Sequence, residues 1–349
     1  MKLDSLPRFH LAEFPTPIQY LDGLTKKCKG PAIYMKRDDL TSLGMGGNKT
    51  RKLEFLIGEA LYQEKNTLVT AGGIQSNHCR LTAAAASKAG LECHLVLNGT
   101  EPEIPNGNLL LDKIFGAKIH FCDRKNRDKR FFQVEDELAL AGKKPYLIPV
   151  GGSNGIGSVG YVNAMLELDT QLNDMDVTPD AIVFASSSGG TQAGLALGAK
   201  ISGFKGDILG ISIDQIKSGS DPFPPVLTSI ANATAERIGS DIRMTDSDFS
   251  LNCDYLGAGY AMPGDLEFNA IRDLSLHEGV LLGPVYTARA MGGLIDLIQK
   301  GYFTKDQKVL FWHTGGTPEL FAWADQLQKT FGSFSMAAWT PLSILSNKS

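Results

Sequence analysis

Cysteine, charge of one sign and long apolar runs are all scarce in this chain, and each shortage closes off a class of protein. The five cysteines (Cys28, Cys79, Cys93, Cys122 and Cys253) are odd in number and never fall in C-x-x-C. Neither a disulfide framework nor a zinc site follows from them, and reduced thiols in a cytoplasmic protein are the simple account. His10, His94, His120 and His277 show no i, i+4 pairing, so no metal is expected. The formal charge is only -4, from 34 basic and 38 acidic residues. The basic run from Arg124 to Arg130 is broken by Asn126 and Asp128. It reads as a solvated loop or helix start, not as a nucleic-acid patch. Met1 to Arg8 holds no apolar stretch of the signal-peptide kind, and no apolar span is long enough to cross a bilayer. The triplets at Asn98 and Asn232 therefore carry no glycosylation meaning.

Two nucleotide motifs are also missing. No G-x-G-x-x-G fingerprint occurs, which counts against a dinucleotide. A P-loop needs glycine immediately before its lysine and again five residues earlier, where this chain has Asn48 and Leu43.

What is present is alternation. With 349 residues and 43% hydrophobic composition the chain can bury a large core and favours two domains. Short apolar runs predict strands over 32–36, 67–70, 93–97, 118–122, 146–149, 180–186, 207–213 and 308–313. Longer amphipathic runs predict helices over 51–63, 77–89, 106–115, 130–141, 157–172, 191–201, 225–237, 265–277, 287–298 and 318–329. Such order argues for α/β architecture with mostly parallel sheets between helix layers. One domain is expected over 50–160, the other combining 1–49 with 161–340. The Ser- and Pro-rich tail after Phe334 is expected to be loose.

The most informative run is Gly46-Gly47-Asn48-Lys49-Thr50-Arg51-Lys52-Leu53-Glu54. Leu53, Leu56, Ile57, Ala60 and Leu61 recur at helical spacing, which sets Lys49 at the mouth of a helix. A lysine amine with a lowered pKa attacks carbonyls, and flanking glycines admit a close neighbour such as a flat cofactor. Lys49 reads as a Schiff-base lysine.

Three strand-to-helix junctions are polar and glycine-rich, where ligands of parallel sheets collect. After 67–70 comes Ala71 to His78, with Ser76 at an N-cap position and first-turn N–H groups suited to a carboxylate. After 180–186 comes Ser186-Ser187-Ser188-Gly189-Gly190-Thr191, a phosphate cradle in composition. After 308–313 comes Thr314-Gly315-Gly316-Thr317-Pro318, with Pro318 fit for a first helical position. Tyr260 and Tyr286 each sit at a glycine-rich helix entry and can serve as acid, base or orienting donor.

Taken in order, these motifs resemble the fold type II pyridoxal-phosphate enzymes (tryptophan synthase β-like). Within them they resemble the group holding D-cysteine desulfhydrases and 1-aminocyclopropane-1-carboxylate (ACC) deaminases. Pro15-Thr16-Pro17-Ile18, Lys36 to Thr41, Gly46 to Glu54, Ile74 to His78, Pro284-Val285-Tyr286 and His313 to Gly316 carry the likeness. The resemblance implies a two-domain, three-layer α/β/α fold that binds pyridoxal phosphate and a small amino acid. It implies that Lys49 holds the cofactor, Asn48 meets its ring oxygen, and Ser188, Gly189, Gly190 and Thr191 hold its phosphate. Thr314 would face the pyridine nitrogen. Ser76, Asn77 and His78 would take the substrate carboxylate, largely through backbone N–H groups. Tyr260 and Tyr286 would flank the substrate, with Thr287 beside them, and Lys49, Ser76, Tyr260 and Tyr286 would be the catalytic set. A homodimer is implied at the same level.

ACC deaminases resemble the chain but carry glutamate and leucine where it has Thr287 and Thr314. A threonine leaves the pyridine nitrogen neutral, which suits β-elimination better than ring opening. The expectation is therefore a carbon–sulfur lyase acting on D-cysteine to give pyruvate, sulfide and ammonia. L-cysteate sulfo-lyase is the nearest alternative, then ACC deaminase, then a non-catalytic protein that merely binds pyridoxal phosphate. Relatives usually read Asp-Pro-Val-Tyr-Thr-Gly-Lys, whereas this chain reads Gly283-Pro284-Val285-Tyr286-Thr287-Ala288-Arg289.

Overall fold

A computed structural model describes residues 2–219 and 222–332. The tail after Phe334 lies outside the described residues. The strands are β1 (Ile18–Tyr20), β2 (Ala32–Arg37), β3 (Thr67–Gly73), β4 (Glu92–Asn98), β5 (Lys118–Cys122), β6 (Pro145–Leu147), β7 (Ala181–Ser186), β8 (Asp207–Ser212), β9 (Ser250–Asn252) and β10 (Lys308–His313). The α-helices are α1 (Asp22–Cys28), α2 (Lys49–Tyr62), α3 (Asn77–Ala89), α4 (Gly107–Ile114), α5 (Arg127–Leu140), α6 (Val159–Met175), α7 (Gly190–Ser202), α8 (Pro224–Arg237), α9 (Asp265–Glu278), α10 (Thr287–Gln299) and α11 (Ala324–Phe331).

The strands form two sheets, β1-β2-β10-β7-β8-β9 and β5-β4-β3-β6. Every pairing is parallel except β1 with β2. Central β7 is apolar along most of its length and buried on both faces, as a parallel strand covered by helices must be. Helices α6, α7 and α8 cover one face of the larger sheet, around Phe184, Leu195 and Trp312. Helices α1, α9 and α10 cover the other, around Val183, Leu294 and Phe311. The smaller sheet packs against α2, α3 and α4 on one side and α5 on the other. The α/β layering expected from alternation is present.

Three elements are invisible to periodicity. Strands β1 and β9 are three residues long, too short to alternate. Helix α1 carries Gly23, a poor helix former. A Cβ there would lie 2.6 Å from the His277 carbonyl oxygen, so close packing on α9 demands the glycine.

Helix α2 departs most from its pattern. The spacing predicts one apolar stripe, yet Thr50 to Ala60 are all buried, while Leu61 is exposed. The helix lies between both cores: Leu53, Leu56, Ile57 and Ala60 face the smaller sheet, and Phe55 joins the α6–α7–α8 cluster. Three of its buried charges are paired, Arg51 with Asp38 and Glu167, Glu54 with Arg8, and Glu59 with Arg237, while Lys52 meets only neutral oxygens among the described residues.

Candidate active site

The carboxyl ends of β3, β7 and β10 converge on the start of α2 and enclose a cavity of about 370 Å³. Lys49, Ser76, Ser188, Tyr260, Tyr286 and Thr314 all line it. These residues come from across the chain, and the topology of parallel strands gathers them at one edge.

Lys49 is the first residue of α2. Burial pushes its amine down to about 8, and the nearby Glu319 carboxylate opposes that shift. Its Nζ donates to Asn48 Oδ1 at 3.2 Å, and Asn48 Nδ2 donates to Thr191 Oγ1 at 3.1 Å. The loop ahead of it is held from beneath by Asp38. That carboxylate accepts from Arg51 Nε (2.9 Å), Thr16 Oγ1 (2.9 Å), Tyr161 Oη (2.6 Å) and Trp312 Nε1 (2.8 Å). Burial alone would raise its pKa, but Arg51 and Lys36 more than offset this and hold it below the usual carboxylate range. The neighbouring glycines serve the protein's own backbone first. At Gly46 (φ 74°) a Cβ would fall 2.0 Å from the Asp39 carbonyl oxygen.

The loop from Ser186 to α7 forms a cradle. Gly189 has φ 91°, and the N–H groups of Ser188, Gly189 and Thr191 have no backbone partner among the described residues. Beneath lies Lys52, buried, donating to Gly151 O (3.1 Å) and Ser153 Oγ (3.2 Å). A Cβ on Gly190 would lie 2.8 Å from Lys52 Nζ. Burial, then Lys49, drives the Lys52 amine well below its ordinary range. Among the described residues no carboxylate answers that amine, so its charged form is disfavoured until an anion arrives, and a phosphate dianion against the N–H groups and helix N-terminus would stabilise it. The residues fit pyridoxal phosphate. Lys52 stands one helical turn beyond Lys49, and that spacing is the one signal in the sequence that could have marked it.

At the start of α3 the side chains are already committed. Ser76 Oγ accepts from Cys79 N–H at 3.2 Å, an N-cap as expected. Asn77 Nδ2 donates to Glu319, and Asn77 Oδ1 accepts from Asn108 at 2.9 Å. Thr70 Oγ1 gives its proton to Ile148 O (2.8 Å), so it must accept from His78 Nε2 (2.8 Å). His78 is thereby a neutral Nε2–H tautomer, in keeping with burial and two nearby lysines that push its pKa far down. Among the described residues the N–H groups of Asn77 and His78 have no backbone partner, so they, with the Ser76 hydroxyl proton that its bond to Cys79 leaves unused, are what this turn offers a carboxylate.

Across the cavity Tyr260 Oη and Tyr286 Oη lie 2.6 Å apart. Burial raises Tyr260 to about 12 and Tyr286 well above its ordinary value. The Tyr260 loop is fastened by Arg289, whose guanidinium donates to the carbonyls of Ile213 (3.0 Å), Leu256 (2.8 Å), Gly259 (3.1 Å) and Met262 (3.2 Å). Its Nε pairs with Glu267 at 2.6 Å.

Thr314 lines the cavity along with Lys49. Thr287 does not: it is fully buried, accepting from Gly283 N–H (2.8 Å) and donating to Gly315 O (3.1 Å). Thr287, expected beside the substrate, thus ties two loops together behind the residues that line the cavity. Lys52, Arg289 and Glu319 are all absent from the expected set. Arg124 and Arg127, which read as part of a solvated run, reach the cavity mouth.

The sequence profile described as "Pyridoxal-phosphate dependent enzyme" matches residues 10–315. D-cysteine desulfhydrases of Salmonella newport (strain SL254) and Salmonella heidelberg (strain SL476) are each 42% identical over 330 residues, covering 92% of this chain and 97% of theirs. The crystal structure of an ACC deaminase homologue superposes with TM-score 0.86 at 39% identity, covering 94% of this chain and 97% of its own. The processed form of threonine deaminase isoform 2 from Solanum lycopersicum shares the fold at TM-score 0.66 and 16% identity, covering 95% of this chain and 86% of its own.

Proposed function

The chain belongs to the pyridoxal-phosphate dependent enzyme family, and from that premise we propose that it eliminates sulfide from D-cysteine, giving pyruvate and ammonia. The observation that carries this is the pairing of an amine at about 8 on one side of the cavity with two protonated phenols on the other. D-cysteine is the substrate in the printed name of relatives that are 42% identical.

Bound at the cradle, pyridoxal phosphate supplies an electron sink for the carbanion formed at the substrate Cα. Lys52 and the N–H groups of Ser188, Gly189 and Thr191 hold its phosphate, Asn48 its ring oxygen, and Thr314 its ring nitrogen. Lys49 would hold its aldehyde carbon, and the amine of Lys49, lowered to about 8, is the group that would take the Cα proton. The N–H groups of Asn77 and His78, with the Ser76 hydroxyl, hold the substrate carboxylate. Tyr260 and Tyr286 keep their protons at neutral pH, so the pair acts as donor to the departing sulfur. The Cα–H and Cβ–S bonds break, sulfur leaves with a proton, and water converts the remaining unsaturated amine to pyruvate and ammonia.

The experiment is pyruvate release by holoenzyme from D-cysteine, L-cysteine and L-cysteate in parallel. Sulfide from D-cysteine, abolished in Lys49→Ala, is expected. Sulfite from L-cysteate with D-cysteine inert would keep the chemistry and overturn the substrate. Holoenzyme inert on every amino acid would leave a cofactor-binding protein.

We further read the protein as a cytoplasmic homodimer with units 50–160 and 1–49 plus 161–340. Exposed apolar Met45, Leu110, Ile114 and Phe321 support self-association, which light scattering on a sizing column tests.

A further inference from the structure

Glu319 lies in the 3-10 turn Thr317–Trp323 that follows the Thr314 loop, and it is completely buried. One carboxylate oxygen accepts from Asn77 Nδ2, the other from Val285 N–H at 3.2 Å. Asn77 stands in the turn whose free N–H groups face the cavity, and Val285 precedes Tyr286. A single carboxyl therefore joins the two walls of the site. The chain of bonds runs on: Asn77 Oδ1 accepts from Asn108 (2.9 Å), Asn108 Oδ1 from Arg80 Nε (2.7 Å), and Arg80 reaches the carbonyls of Gly44 and Gly46 (the latter at 3.0 Å). Those carbonyls belong to the loop in front of Lys49.

Gly283 makes the seat. A Cβ there would lie 2.8 Å from Glu319 Oε2 and 2.7 Å from the Gly316 carbonyl oxygen. The Glu319 carboxyl and the Gly316 backbone together leave no room for a side chain at position 283.

We propose that Glu319 is a positioning residue for the elimination, a buried carboxyl that fixes the turn bearing the Asn77 and His78 N–H groups against the loop bearing Tyr286. This rests on the function proposed above, in which those N–H groups take the substrate carboxylate and Tyr286 works at its far end. The groups facing Glu319 are Lys49 and Arg80 as cations and Tyr260 and Tyr286 as hydroxyls. Asp112, farther along α4, acts on Arg80, and Asp214 acts on the tyrosines. Burial raises Glu319 to about 8, so its charge, and with it its capacity as a double acceptor, changes in the working range.

A carboxylate accepts both bonds; an amide accepts one and turns its own N–H groups on the other donor. Holoenzyme and its Glu319→Gln and Glu319→Ala variants are titrated calorimetrically with D- and L-alanine, which carry the carboxylate but no leaving group. Above pH 8, where Glu319 is charged, Glu319→Gln is expected to weaken the alanine that the parent binds by about ten-fold, one buried hydrogen bond lost and a donor orphaned, with little change in unfolding temperature. The pH break in alanine affinity near 8 should vanish in that variant. Glu319→Ala, which leaves both donors unpaired, should bind alanine more weakly still. Parent-like affinity and an unchanged pH break in Glu319→Gln would overturn the proposal. So would Glu319→Gln affinity falling only in step with unfolding temperature, which marks a space filler. If the parent binds alanine yet releases no pyruvate from any cysteine, the proposed function fails while the alanine titrations still judge Glu319.

Discussion

Tyr260 and Tyr286 hold one another by a 2.6 Å hydroxyl–hydroxyl hydrogen bond, their rings crossing at 69° with centroids 6.0 Å apart. They come from different loops, and each removes the other's hydroxyl from water. One proton lies between them and one is free to be given away.

That sharing makes the two residues one unit. Tyr260→Phe and Tyr286→Phe should each lower kcat by about 100-fold, the scale of a lost general acid. The double variant should lose little more, because either deletion already disables the pair. Losses that multiply to about 10⁴ in the double variant would show two independent roles.

Lys52→Met leaves the cradle without its ammonium. Removing one side of a buried charge pair costs about 2–5 kcal/mol, so equilibrium dialysis should find pyridoxal phosphate bound at least about thirty-fold more weakly. Affinity for pyridoxal, which has no phosphate, should be unchanged. Equal losses for both would place Lys52 elsewhere than at the phosphate.

Arg289→Lys keeps the charge but not the fork. An ammonium has three donors, too few for Glu267 and the four carbonyls that Arg289 now serves. A buried carbonyl left unpaired, as that of Ile213 would be, costs about 1–3 kcal/mol. Thermal unfolding should come earlier, by about 2–4 °C for each kcal/mol lost, and kcat should fall as the Tyr260 loop loosens. An unchanged kcat beside a lower unfolding temperature would confine Arg289 to stability.

Reconstitution of apoenzyme with pyridoxal phosphate should report the Lys49 amine directly. Its pKa is lowered to about 8, so the reactive neutral form is about a tenth of the total at pH 7 and about nine-tenths at pH 9. The rate should therefore rise through pH 8 and level off above pH 9, where an ordinary lysine would still be climbing. Continued rise beyond pH 10 would show the amine unperturbed.

Most of the regular structure was legible because its signals are local. Alternation marked the longer strands, 3.6-residue spacing marked most helices, and glycine with hydroxyl clusters marked the three loops of the site. Lys52, Arg289 and Glu319 were missed because their partners lie far away in the chain. Thr287 reads as a neighbour of Tyr286, yet a helix start sends successive side chains in different directions, and this one meets Gly283 and Gly315 instead.

What the sequence determined by itself is the chemistry on offer: a lysine at a helix mouth, a phosphate-sized loop, an N-capped turn and two tyrosines at loop ends. Each of these is written in a short local window, where backbone preference and capping decide. The tertiary structure alone decided which charges are buried and who answers them. Asn77 and Glu319 stand 242 residues apart, and Asp38 and Trp312 stand 274 apart. No periodicity reaches that far; only the closing of both sheets over α2 brings such groups out of water, where each must find its partner or shift its proton.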